Sequence, residues 1–501
     1  MFDTDVVVVG AGPTGLALAC GLRLHGVSVR LIDRAARPAT TSRANFLHAR
    51  GSEVLRRLGA LGTLPDDSLR AMRITNFLGD RPVMTLEFGD PGMGTAAPPM
   101  VVSQAKVEGA LRARLAELGV TPQWGVGLTG LHQDADSAAA ELEDGSTLRA
   151  RWLVGCDGAS STTRTLAGIG FPGVKLTERF LLADLHLDWD VDRSGTTGWV
   201  HPSGVLGAMP MPDEGGRDDL WRLFAYAPDF HRTPSDTAIL ERMAAIIPER
   251  SGRTARIKDA EWLSVFTVHR RLADTYRRGR VLIAGDACHV HAPFGGQGML
   301  TGIGDAENLA FKLALIVRGV ARESLLDTYE AERRPLAVDV LRGTSAVTRV
   351  NVAHNPIGRF LRDRVAPRVF SLPVVQRWTT YSASQLWVSY RKGPLGGRGR
   401  RPRPGDRLAD MPCIRPGGDH THLHDELGGH WVLLIPAGSS AEVDLEAARR
   451  RLGGHLRALG HDGDQMMLVR PDAHLAWRGG AHDIRGLNRW LTAALDTGTT
   501  R

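Results

Sequence analysis

The run VLIAGDACHVHAPFGGQGM, from Val281 to Met299, sets Asp286, Cys288, His289 and His291 almost side by side. These residue types ligate metals, but a zinc site wants four ligands, or three and a water, and no further members stand at a recognisable spacing elsewhere. No metal site is expected. The glycines that follow allow a backbone to approach a ligand closely, and a helix starting there would turn free N–H groups toward it. A second cluster lies near the N-terminus, where Gly10-x-Gly12-Pro13-Thr14-Gly15 has the spacing of a dinucleotide-binding turn. One glycine makes the turn, one lets a pyrophosphate approach, and one packs helix on strand. Asp33 follows 18 residues after Gly15, with Arg34 beside it, where an acid meets a ribose hydroxyl. An acid there disfavours a 2′-phosphate, so the resident cofactor is expected to be FAD or NAD rather than NADP.

Both clusters require a strand, a tight turn and a helix to hold them. Val6 to Val9 is a β-branched strand, LALACGLRLHG has helical spacing and stops on Gly26, and SVRLID is the second strand. The second cluster sits on the same kind of corner. GRVLIAGDA reads as a buried strand and GDAENLAFKLALIVRG as an amphipathic helix.

At 501 residues the chain has room for two or three domains. Its net charge of +7 comes almost wholly from arginine and implies no nucleic-acid partner. The densest basic run, RKGPLGGRGRRPRPGDR (Arg391 to Arg407), has no aromatics to stack bases and the Gly and Pro content of a solvated linker. Cys20, Cys156, Cys288 and Cys413 form no CxxC pair, which fits a reducing compartment. The start MFDTDVVVVG lacks the basic region of a signal peptide, and no stretch approaches the ~20 apolar residues of a membrane span. A cytoplasmic protein without a membrane partner is expected, as a monomer or homodimer.

The stretch GRVLIAGDACHVHAPFGGQGMLTGIGDAENLAFKLA resembles the GD motif of the single-component FAD-dependent aromatic hydroxylases, the para-hydroxybenzoate hydroxylase-like group A flavoprotein monooxygenases. WLVGCDGASSTTR (Trp152 to Arg164) is similar to that family's DG motif, and the N-terminal glycine turn completes the set in the family's order. The resemblance implies FAD as cofactor and NADPH or NADH as transient reductant. It implies that Asp286 bonds the ribityl chain, that Pro293, Gly295, Gly296, Gly298, Met299 and Leu300 line the isoalloxazine ring, and that Asp157 and Gly158 support the site. Arg43 and Gln104 would lie near the flavin, and Leu128 would touch the adenine through its backbone. His289 would be a packed histidine next to Asp286. Two positions depart from the family pattern: Leu300 replaces a usual Asn, and Gly304 replaces a longer side chain.

Between Phe171 and Arg270 short alternating runs predict an antiparallel sheet. The resemblance places it over the flavin as the substrate wall, with Trp199, His201, Met211, Phe224, Pro293 and Phe294 as candidate lining. After Pro402 the chain is similar to the thioredoxin-like C-terminal domain of the phenol and polyketide hydroxylase branch, and Cys413 without a partner argues against thiol redox work. The expected fold is thus α/β: a Rossmann-like FAD unit in two parts (1–172 and 271–390), an inserted sheet domain (173–270), and a linker with the thioredoxin-like unit (391–501). The implied activity is hydroxylation of a polycyclic polyketide or related phenol with NAD(P)H and O2, by way of a flavin C4a-hydroperoxide. His201 or His269 could take the proton from a substrate phenol. The alternatives are Baeyer–Villiger insertion or antibiotic inactivation on the same fold, and, from another class, a non-catalytic polyketide-binding protein.

Overall fold

A computed structural model describes residues 2–40, 44–69, 73–87, 94–213, 215–228, 230, 234–291, 296–351, 365, 368–369, 372–437 and 445–496. The first segment runs β1 (Thr4–Val9), α1 (Pro13–Leu24), β2 (Val29–Asp33), β3 (Phe46–Leu47), α2 (Ala49–Leu58), β4 (Arg73–Leu78), β5 (Arg81–Glu87), β6 (Met100–Val101), α3 (Gln104–Glu117), β7 (Gln123–Trp124), β8 (Leu128–Gln133), β9 (Ala138–Leu142), β10 (Thr147–Gly155) and α4 (Thr162–Leu166). There follow β11 (Gly173–Trp189), β12 (Thr196–His201), β13 (Gly204–Pro210), β14 (Leu220–Tyr226), α5 (Asp236–Ser251) and β15 (Ala255–Leu272). The chain then returns through β16 (Arg277–Arg278), β17 (Val281–Ile283), β18 (His289–Val290), α6 (Gly298–Val317) and α7 (Asp327–Asn351).

Strands β17, β10, β1, β2 and β7 lie side by side and parallel, so Val6, Val7 and Val8 are sealed on both faces, as an uninterrupted valine run requires. Helices α1 and α6 pack tightly. A Cβ on Gly21 would stand 2.7 Å from that of Ala310, so glycine is what allows the approach. The Ser103 hydroxyl caps α3 by accepting from the Lys106 N–H.

The second sheet has the order β18-β15-β11-β14-β13-β12-β4-β5. Its edges cross the expected boundaries: the hairpin β4–β5 from the first segment joins β12 in parallel, and β18 from the returning segment joins β15. Both additions cover edges that the insertion alone would leave unpaired. One face packs on α5 through Leu181, Ala183, Leu185, Leu206, Leu223 and Ile246. The other meets the FAD unit where Met211 and Leu220 touch Phe46 and Val101.

The third unit is a six-stranded sheet in the order β20 (His420–His422), β19 (Pro412–Ile414), β22 (Leu456–His461), β21 (Trp431–Pro436), β23 (Gln465–Val469), β24 (Leu475–Gly480), with the helix Ile484–Asp496 packed on it. Cys413 is buried, and burial pushes its thiol up to about 12, which leaves it protonated. The run from Arg391 to Arg407 is not the free linker expected. Its arginine heads at Arg398, Arg400 and Arg401 are exposed, but Leu395 is buried in the core shared with β21, the Gly405 N–H donates to the Leu475 carbonyl, and Arg407 pairs with Glu53. Glycine-rich chain can lie flat on a surface wherever its backbone groups find partners. Among the described residues no helix is long and apolar enough to cross a membrane.

Candidate flavin and substrate site

Helix α1 begins at Gly12 with no side-chain cap, and a Cβ on Gly12 would meet nothing within 4 Å. Space is therefore open beside the start of the helix, which Pro13 and Thr14 form. Gly10 adopts φ 104°, and a Cβ there would stand 2.5 Å from the Cys156 carbonyl oxygen; a Cβ on Gly15 would run into the Gly10 carbonyl. Asp33 ends β2 and turns its carboxylate back to this turn, accepting from the Ala11 N–H at 2.7 Å and the Ala35 N–H at 2.8 Å. Arg34 next to it is exposed.

The opening cluster divides into separate roles. Cys288 is fully buried, and burial, together with nearby Asp305, pushes its thiol well above the usual value. His289 bonds not Asp286 but Asp305, at 2.7 Å. Asp305 also accepts from the Gly285 N–H (3.1 Å) and Arg333 (2.6 Å). Burial works against the charge on Asp305, but Arg333 and His289 outweigh it and hold its carboxyl below the ordinary range. Among the described residues the one group of three potential ligands within reach of a common ion lies elsewhere, at His186, Asp213 and Glu261. Asp286 alone in this turn is exposed, and among the described residues no hydrogen-bond or ionic partner holds it.

Thr14 joins the two clusters. A Cβ at Gly285 would stand 2.5 Å from its hydroxyl, and one at Gly302 would be closer still, so the GD turn and α6 sit directly against the start of α1. Helix α6 also begins without a side-chain cap, at Gln297, with Gly298 open to space and Met299 and Leu300 in its first turn. Leu300 is buried beside Gly51. Gly304 has a physical reason: a Cβ there would stand 2.8 Å from the Arg333 guanidinium, which occupies the space.

Gln104, half-buried at the start of α3, donates to Glu108 at 2.8 Å. Burial raises the Glu108 pKa, and Asp33 adds to the rise, so Gln104, Glu108 and Asp33 share one neighbourhood. Sequence reading missed Glu108; its position one helical turn after Gln104 was the available signal. Leu128 is buried on β8, across the sheet from Leu142. Asp157 is engaged structurally, accepting from the Ser161 hydroxyl and from the Thr163 N–H and hydroxyl. Arg43, Pro293, Phe294 and Gly295 lie outside the described residues.

On the inserted sheet, alternation separates the candidates. Trp199, expected to line the substrate space, does not face the FAD unit. It is buried in the α5-side core, 5.3 Å from Trp189 and close to Phe77, because odd positions of β12 point that way. His201, two residues on, shares that face and bonds Ser203 in the β12–β13 turn, beside Arg250 of α5, so it is not placed as a base. Met211 and Phe224 do face away from α5. Met211 touches Asn45, and Phe224 lies over Gly207 beside Phe180, Tyr226 and Phe266. The same face carries the buried pair Asp184–Arg222, with Arg222 over Trp262. His269, half-buried on β15, comes two residues before that strand pairs with the GD segment at Arg271 and Val290.

Two uncapped helix starts, an acid at the end of β2 and an exposed acid in a glycine turn fit a flavin dinucleotide, whose pyrophosphate, ribose, ribityl chain and ring carbonyls need those groups. The fold and the site thus define a flavoprotein of the Rossmann type. The family model described as an FAD binding domain matches residues 3–344, and the chain belongs to that family. It is similar to the 12-dehydrotetracycline 5-monooxygenase/anhydrotetracycline 6-monooxygenase of Streptomyces rimosus, at 35% identity over 99% of this chain and 96% of that one. Rifampicin monooxygenase of Streptomyces venezuelae is 32% identical over 95% of each. Among solved structures, aklavinone-11 hydroxylase with FAD and aklavinone superposes with a TM-score of 0.80 at 27% identity, covering 99% of both chains. The protein is an FAD-dependent monooxygenase that draws on NAD(P)H.

Proposed function

We propose that the chain hydroxylates a polycyclic aromatic substrate of the polyketide or phenolic type. The observation that carries this reading is the apolar wall of the inserted sheet that faces away from α5, where Met209, Met211, Leu220 and Phe224 stand with Phe46 of the FAD unit. Such a wall suits flat rings and excludes water. The related enzymes named for tetracyclines and aklavinone support it.

Bound FAD supplies hydride acceptance and oxygen activation; the protein binds, orients and shields. Gly10, Gly12, Pro13, Thr14 and Gly15 hold the pyrophosphate, Asp33 the ribose with Arg34 at the rim, and Asp286 the ribityl hydroxyls. Gly296, Gly298, Met299 and Leu300 offer backbone to the ring, Gln104 and Leu128 border the adenosine side, and Asp157 supports the site from beside the Gly10 turn. Of the two histidines, His269 is the one carried toward the GD turn and is assigned the proton of a substrate phenol. An absorption spectrum, then NADPH and NADH oxidation with a panel of phenolic polyketides, tests the proposal. Faster oxidation with one of them, and a product heavier by one oxygen on a ring carbon, is the expected result; oxidation indifferent to every aromatic compound would sink it. The likeness to rifampicin monooxygenase favours a second reading, oxidative inactivation of an aromatic antibiotic. In that case loss of antibiotic potency accompanies the oxygen gained, and an oxygen inserted beside a ketone marks Baeyer–Villiger chemistry.

A further inference from the structure

The residue just past the helix Pro373–Ala383 and its cap Ser384 is Gln385, with φ 54°. The left-handed conformation one position beyond a helix cap is where glycine is the usual choice, because a side chain there costs energy. Gln385 nevertheless is only 2% exposed. Its side-chain amide donates to the Thr301 hydroxyl at 2.8 Å and to the side-chain carbonyl oxygen of Gln297 at 3.3 Å. Both partners belong to the start of α6: Gln297 is its N-cap, and its backbone carbonyl accepts from the Thr301 N–H and hydroxyl. Arg333 closes the arrangement by donating to the Thr301 carbonyl.

A side-chain oxygen at a helix N-cap can accept the N–H of the second or third residue, as Ser, Thr, Asp and Asn do, and a glutamine oxygen is an acceptor of the same kind. Gln297 makes no such bond. We infer that Gln385 is a positioning residue that holds the Gln297 side chain off its own helix, leaving the first-turn N–H groups of α6 free for the flavin ring. A strained, buried residue at a ligand-binding turn is where such a role is expected. The segment before the third unit thereby acts on the cofactor site without touching the cofactor.

The test compares four full-length proteins: wild type, Gln385→Gly, Gln297→Ala and the double variant. FAD is removed and added back, its affinity is read from fluorescence quenching, and melting of each flavin-free protein is recorded. Gln385→Gly relieves the backbone conformation but gives up a buried side chain and two hydrogen bonds, so its melting temperature should fall by no more than a few degrees. Its FAD affinity should nonetheless fall about five- to ten-fold, the scale of one hydrogen bond to the ligand, with a shifted flavin absorption band. Gln297→Ala in the same chain should restore most of the affinity, because the competing side chain is gone, and the cycle isolates that coupling. Unchanged affinity in Gln385→Gly overturns the inference, as does a double variant no tighter than the single one. Should Gln385→Gly not fold, Gln385→Asn, which tolerates the same backbone and stops short of Gln297, carries the same outcomes. A folded wild type that takes up no FAD would instead overturn the flavoprotein assignment itself.

Discussion

Where α6 and α7 meet the third unit, Glu332 accepts from Arg470 through both oxygens at 2.8 Å and from Lys312 at 2.8 Å, while Asp472 binds the other side of Arg470. In the GD turn, by contrast, Asp286 stands exposed without a partner among the described residues. Both regions pack against α6, and the strongly perturbed ionisation belongs to the one that joins the units. Burial alone would raise the Glu332 pKa, but Arg470 and Lys312 bring it down to about 2; that shift marks a joint, not a site. Among the groups proposed to bind FAD, the helix starts and the Asp286 carboxylate are ones the fold leaves unsatisfied. A ligand site must keep its bonding capacity for the ligand, whereas a buried joint must spend all of it.

The contrast is broken most severely by Arg470→Met, which leaves Glu332 and Asp472 buried without their shared cation. A loss of about 3–5 kcal/mol is expected in urea unfolding. Trp199→Ala should cost a similar ~3–5 kcal/mol by opening the α5-side core, with no change in FAD affinity, which would confirm that this ring is not at the flavin. Asp286→Ala should do the reverse. It weakens FAD binding by roughly ten- to a hundred-fold, as for a charged hydrogen bond, and leaves flavin-free stability within ~0.5 kcal/mol. The joint also sets a pH dependence. Because the folded Glu332 pKa lies below its unfolded value, its contribution is complete above pH ~4.5 and is lost as pH falls toward ~2. The stability gap between wild type and Glu332→Gln should therefore narrow steadily in unfolding curves taken from pH 5 to pH 3. The smallest effect is expected from Phe224→Ala, which should raise the substrate KM several-fold, by ~1 kcal/mol or so of lost aromatic contact, and hardly move the melting temperature.

The glycine turn, the acid 18 residues on and the GD corner were legible because each is local: strand, turn and helix are contiguous, so the dinucleotide follows from residue type and spacing and the flavin from the resemblance of the motifs. The alternating middle segment was legible as a sheet but not as two faces. Period two says that Trp199 and His201 point one way and their neighbours the other, not which way the FAD unit lies. The packed course of Arg391–Arg407 was hidden for a related reason. Its composition matches a linker, and only the distant Glu53 and Leu475 make it structure.

From the sequence alone came a bound dinucleotide, by strand, glycine turn and acid, and, through the resemblance of its motifs to a known family, the choice of FAD and the two-part Rossmann unit with its inserted sheet. The tertiary structure decided which sheet face meets the FAD unit, why residue 304 is glycine against Arg333, that His289 answers to Asp305, and that Gln385 reaches α6 from 84 residues beyond Thr301. Those are contacts between segments remote along the chain, and no spacing rule reaches across a loop whose path is set by packing.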